Sequence, residues 1–138
     1  MARDELERSP DDERTTAWPI RYEGENVYQK SFPGTGFGVV FEDDGATGCF
    51  YATDETWKIL DALHLYNLGD ATMPRKGDEI HFVWNQQQLK AGIFYNNRFQ
   101  AIVDFRNRRA CCRTGFPPPS EWCKSEHGWV GELEDGLL

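Results

Sequence analysis

Three acids in a row, Glu42, Asp43 and Asp44, stand before Gly45 in the stretch VVFEDDGATGCFYATD. Carboxylates hold hard cations and move protons, so the run invites both readings. A calcium loop spaces its oxygens at alternating positions and ends on a bidentate acid, as in D-x-[DN]-x-[DN]-G. EDDGATG supplies adjacent acids on a tight turn instead, and adjacent strand residues point to opposite faces. The acids therefore read as a hairpin tip, with Asp43 and Asp44 facing outward as candidates for touching a partner.

The histidines, His64, His81 and His127, lie far apart, without an H-E-x-x-H or other ligand spacing. His64 sits in DALHLYN, close to Asp61, Tyr66 and Asn67. A strand face carrying an imidazole, a phenol and carboxylates, with Asp104 as a further acid, could do acid–base work if it lined a pocket. A buried, hydrogen-bonded imidazole is the plainer alternative. A zinc site from Cys111, Cys112, Cys123 and His127 fits poorly: vicinal side chains diverge on a strand, and no C-x₂₋₄-C pair occurs. Only CKSEH, with Cys123 and His127 four apart, has ligand spacing, so the cysteines read as small buried thiols and no metal or cofactor is expected. G-x-S-x-G is missing, and GTGFG leads into a strand, where it cannot offer a helix N-terminus to phosphate. Arg106, Arg108, Arg109 and Arg113 cluster beside Phe105 and Phe116, as a solvated turn or as a site for phosphate or an acidic protein surface. The acidic C-terminal tail is itself a candidate to contact them.

Short strands must position these groups. Phe37, Val39 and Phe41 alternate before the acidic tip, and TGCFYATD alternates after it. Asp44-Gly45 between them predicts a two-residue type I′ hairpin. PIRYEGENVYQKSF reads as a short hairpin or irregular strand, and PGTG as a turn. Residues 54–68 are ambiguous. A helix would stripe Ile59, Leu63 and Tyr66. A strand puts Leu60, Ala62, His64 and Tyr66 on one face, with Asp61, Leu63, Leu65 and Asn67 on the other. The hairpins around it favour the strand. Ile80, Phe82 and Trp84 share a face, as do Phe99, Ala101, Val103 and Phe105. NQQQ, NN at 96–97 and RNRR mark turns, and PPP at 117–119 ends regular pairing. SEWCKSEHGW could form one helical turn. The expected fold is mainly β, an antiparallel meander of about six or seven strands making a small curled sheet, sandwich or open barrel, with at most one or two short helices.

The net charge of −8 is concentrated at the ends. Residues 1–14 hold six acids and three bases, and residues 121–138 five acids and one base, leaving the middle close to neutral. Residues 1–17 read as a disordered charged arm, 18–119 as one β-rich domain and 120–138 as an acidic tail. The acidic balance argues against nucleic acid, and no apolar run approaches the ~20 residues of a membrane span. The charged start lacks an apolar h-region, and the cysteine spacing is irregular, so the expectation is reduced thiols in a cytoplasm.

FEDDGATGCFYATD, ILDALHLYN, FVWN…LKAGIFYNNRFQAIVDF and CCRTGFPPP together resemble a bacterial domain family of unknown function, number 2251, over about residues 35–119. The resemblance implies a bacterial origin and one compact domain, and it implies no reaction. Its motif-like positions are Glu42, Asp43, Asp44, Gly45, Asp61, His64, Tyr66, Asn67, Trp84, Asp104 and Arg113, marking either a shared surface or a shared fold constraint. With weak catalytic signals, many aromatics and polar hairpin tips, the chain reads as a non-enzymatic protein-binding module, for example an immunity or accessory protein of a toxin or secretion system. The candidate binding residues are Asp43, Asp44, Asp61, His64, Tyr66, Asn67, Trp84, Arg108, Arg109 and Arg113. The alternative is a small-ligand sensor or enzyme with a pocket around Asp61, His64 and Tyr66.

Overall fold

A computed structural model describes residues 15–24 and 27–138. The alternating segments form nine strands among these residues: β1 (Thr15–Arg21), β2 (Val27–Ser31), β3 (Phe37–Asp43), β4 (Thr47–Asp54), β5 (Ile59–Asn67), β6 (Glu79–Asn85), β7 (Lys90–Tyr95), β8 (Arg98–Asp104) and β9 (Arg109–Cys112). A 3₁₀ turn at Gly131–Glu134 follows. The count exceeds the six or seven expected because β1 and β2 pair as separate strands in different sheets and a further strand, β9, follows the RNRR turn. Residues 54–68 contain a strand, as the surrounding hairpins implied. Residues 1–14 of the expected arm lie outside the described residues, while Thr15–Ala17 belong to β1.

Both sheets are antiparallel, in the orders β1-β6-β7-β8-β9 and β2-β3-β4-β5. PIRYEGENVYQKSF is thus not a hairpin: β1 pairs with β6 and β2 with β3. The sheets face each other across one core, where Phe41, Phe50 and Leu63 meet Ile80, Phe82, Trp84 and Ile93. Trp84 stacks on Phe105 and donates its indole N–H to Ser31 Oγ (2.9 Å), joining the two layers. Asn96 and Asn97 both have positive φ, 54° and 64°, as a two-residue primed turn requires. At the acidic tip only Gly45 does, at 89°, so three residues, 44 to 46, connect β3 and β4 in place of the type I′ pair.

Two irregularities re-aim aromatic rings. Between β4 and β5 the partners step from Cys49↔His64 to Gly48↔Tyr66, leaving Leu65 as an extra residue. Tyr66 therefore turns inward, away from the face of His64, and its ring occupies the space where a Cβ on Gly48 would stand. Between β7 and β8, Gln100 is the extra residue, and Phe99 leaves the face of Ala101 and Val103 to cover Gly92.

The segment expected as an acidic tail packs against the protein. Leu133, Leu137, Trp129 and Val130 cover Val83, Phe99, Ile102 and Cys111 on the outer face of the five-stranded sheet. Arg109 and Arg113 meet Glu132 (3.6 Å) and Glu134 (3.7 Å), and the Arg113 guanidinium lies 3.5 Å over the Trp129 ring. SEWCKSEHGW forms turns in place of a helical turn.

Candidate functional site

The acidic tip divides into three environments. Asp43 is 2% exposed, and its Oδ2 accepts the hydroxyls of Tyr22 and Tyr66, each at 2.7 Å. Its Oδ1 accepts the N–H of Gly45 (2.8 Å). Asp43 is an interior acceptor and does not face a partner, because its strand position falls on the packed face. Asp44 is exposed and takes the N–H groups of Ala46 and Thr47, whose bonds hold its carboxyl below the usual range. Glu42 Oε1 accepts the Tyr51 hydroxyl on the outer face (3.0 Å).

Asp61, His64 and Tyr66 do not converge. Tyr66 belongs to the Asp43 network. His64 lies on the outer face beside exposed Phe116, with its Nε2 3.0 Å from Asn67 Oδ1. Trp84 is wholly buried and Asp104 caps its turn through Asn107, so neither offers a surface. Arg108 is exposed at positive φ, while Arg109 and Arg113 are engaged by the C-terminal segment, as the charge pattern suggested.

Asp61 has different company. Its Oδ2 lies 2.7 Å from His127 Nε2, its Oδ1 accepts the Ser120 N–H (3.1 Å), and Cys123 Sγ completes a buried group whose ligand atoms all lie within 4.8 Å of one another. His127 Nδ1 is 2.6 Å from the Pro117 carbonyl, which can only accept, so Nδ1 carries a proton. Burial alone would lower the His127 pKa, but the Asp61 carboxylate beside it raises it to about 10. Burial likewise opposes the Asp61 charge, and the His127 and Ser120 bonds outweigh it to hold that pKa down. The sequence contained CKSEH but no sign that Asp61, more than sixty residues earlier, would join it, since the chain must fold back over β5 to bring them together.

The same fold-back covers sheet edges. His64 N–H donates to Phe116 O (2.8 Å), and Ser120 Oγ donates to Leu60 O (2.6 Å), capping β5. Cys112 N–H donates to His127 O (2.9 Å) and Lys124 N–H to Arg108 O (2.7 Å), capping β9. On the opposite side β1 carries Pro19, which has no N–H to offer. β2 is different. Among the described residues, Tyr28, Gln29 and Lys30 make no backbone hydrogen bond beyond their pairing with β3.

Beside β2 lies a cleft of about 250 Å³ lined by Trp18, Ile20, Lys30, Ser31, Phe32 and Phe82. Tyr28 is 55% exposed and Phe32 39%. Lys30 Nζ sits 4.7 Å over the Trp57 ring and 5.5 Å from that of Tyr28, and no ion pair to it is found among the described residues. Trp57 and Phe32 lie over Gly38, where a Cβ would stand 2.9 Å from the indole. Sequence reasoning missed this edge because no single residue in PIRYEGENVYQKSF carries a chemical signature.

A family profile described as an uncharacterised protein conserved in bacteria (DUF2251) matches residues 21–138, well beyond the span of the quoted motifs and through the C-terminal segment. An uncharacterised protein of Haemophilus influenzae (strain ATCC 51907 / DSM 11121 / KW20 / Rd) is 31% identical over 96 residues, 65% of this chain and 60% of its own length. The chain therefore spans under two thirds of that relative. No solved structure matches. Among the described residues, no helix is long and apolar enough to cross a membrane.

Proposed function

The chain belongs to the DUF2251 family of uncharacterised bacterial proteins, and we propose that it is a non-enzymatic protein-recognition module that takes an extended segment of a partner as an added strand along β2. The observation that carries this reading is the asymmetry of the edges: β5 and β9 are covered by the chain itself, β1 carries a proline, and β2 is open beside an apolar cleft. Strand addition draws affinity from main-chain hydrogen bonds and specificity from pockets for alternate side chains. A lysine on an edge strand discourages indiscriminate pairing. Lys30 therefore sets the partner's chemistry, a segment with one apolar side chain for the cleft and a carboxylate facing the ammonium. The pocket around Asp61, His64 and Tyr66 finds no support, since the three groups lie in separate environments. Small size and acidic balance support the finer reading of an immunity or accessory protein of a toxin or secretion system. Four unpaired thiols support a reducing, cytoplasmic setting.

The test is selection from a displayed library of random linear peptides, followed by mapping of amide chemical shifts. Peptides pairing an apolar residue with an acid should be enriched, shifting the amides of Trp18, Ile20 and residues 28–32. Phe32→Asp should weaken them about tenfold or more, the effect of about 1.4 kcal/mol. An absence of enrichment, shifts confined to another surface, or a Phe32→Asp variant that binds unchanged would remove the proposal.

A further inference from the structure

We infer that Asp61, Cys123 and His127 form a zinc-binding site that pins the fold-back segment to β5. It rests on side chains distinct from the β2 edge and stands apart from the recognition reading. The three groups are 2%, 7% and 1% exposed, and each contributes one inward-facing ligand atom. A thiol, an imidazole and a carboxylate make a mixed donor set of the borderline character that zinc prefers over calcium or magnesium.

The outer contacts are those of a built site. A zinc-ligating histidine characteristically donates its other ring N–H to a carbonyl or carboxylate, and His127 Nδ1 faces Pro117 O at 2.6 Å. Nε2, which shares its proton with Asp61 Oδ2, presents its lone pair toward Asp61 and Cys123 once an ion displaces that proton. The Ser120 N–H takes Asp61 Oδ1 and leaves Oδ2 for the ion. Zn–S near 2.3 Å and Zn–N or Zn–O near 2.0 Å place tetrahedral neighbours about 3.3–3.5 Å apart. Asp61 Oδ2 and His127 Nε2, at 2.7 Å, need to separate by under about one ångström to admit the ion. The site would leave one tetrahedral position for water. Cys123 is held by a turn in which its N–H donates to Ser120 O (3.2 Å), so the thiol and one second contact of the carboxylate come from the same loop.

The alternative occupant of the space between Asp61 and His127 is a proton, and the two differ in ways that are measured directly. The untagged full chain, purified without chelator and passed into metal-free buffer, should carry about one zinc per chain by elemental analysis. Cobalt(II) added to the stripped protein should give tetrahedral d–d bands with a thiolate charge-transfer band. Cys123→Ser should lose the charge-transfer band, whereas Cys111→Ser, at a thiol outside the group, should keep it. Protein that holds neither zinc nor cobalt, or a cobalt spectrum without thiolate character in the unsubstituted chain, overturns the inference. The cobalt measurement needs no substitution, so it stands even where a variant fails to fold.

Discussion

Removing the Tyr66 hydroxyl, Tyr66→Phe, isolates one interaction of the buried Asp43 carboxylate. The ring is retained, so its packing over Gly48 is unchanged and no cavity opens. What is lost is one of two tyrosine hydroxyls donating to the same oxygen, at 2.7 Å, on an acid that is 2% exposed. A hydrogen bond to a charged group contributes about 1.5–3 kcal/mol net, and burial places this one toward the middle or upper part of that range, about 2 kcal/mol. Tyr22→Phe should cost a similar amount. The pair of substitutions should cost more than their sum by about 0.5 kcal/mol or more, because Oδ2 is then left buried without either donor. Urea unfolding followed by tryptophan fluorescence reads each value, with an unchanged slope confirming that only stability moved. Tyr51→Phe, at the half-buried Glu42 contact, is the comparison and should cost less. A Tyr66→Phe loss under about 0.5 kcal/mol, or a double variant that is simply additive, would refute the shared-acceptor argument.

Alkaline stability should follow Tyr66 and Tyr95, both nearly inaccessible to solvent, whose pKa values are pushed upward chiefly by burial of the phenolate. A raised pKa leaves their contribution intact below the unfolded value near 10 and removes it as pH climbs above that, by up to about 1.4 kcal/mol per pH unit each. Tyrosinate absorbance should therefore rise together with unfolding, and titration of these two rings in the folded chain would contradict the burial. At the C-terminus, Leu133→Ala should cost about 2–5 kcal/mol as a buried large-to-small change. Glu132→Gln with Glu134→Gln should leave the fold intact, because surface pairs are worth under about 1 kcal/mol, yet increase retention on a heparin column by freeing Arg109 and Arg113. Unchanged retention would show that the arginines are not masked by those acids.

The alternation of Phe37, Val39 and Phe41, and of Ile80, Phe82 and Trp84, was legible because period two is a property of neighbouring residues and these side chains share the core between the sheets, which Val40 and Val83 do not join. Tyr66 and Phe99 were misplaced for one shared reason. Each lies next to an extra residue, Leu65 or Gln100, that exists only in the register between two strands and leaves no mark in one strand's own sequence. The glycines on the partner strands, Gly48 opposite Tyr66 and Gly92 beneath the Phe99 ring, were the visible half of that signal, since a ring lies where their side chains would be. The meeting of arginines with the acidic tail was readable from charge alone. The meeting of Asp61 with His127 was not, because a contact across sixty-six positions depends on how residues 114–128 cross two edges.

That crossing gives the Asp61 group a role beyond its own contacts. Residues 114–120 cap β5 and residues 123–128 cap β9, and Asp61, Cys123 and His127 are where the two halves of the segment are tied together. Each cap by itself consists of a few hydrogen bonds that water could replace. The tie makes them cooperative, because releasing His127 frees the carbonyl that holds Cys112 and loosens the loop whose Ser120 holds Asp61 and Leu60. Two strand edges would then be exposed together, the arrangement most prone to pairing with other chains. With β2 open among the described residues, the far side of the sandwich needs a strong fastening, and a buried group of three convergent ligand atoms is placed to supply it.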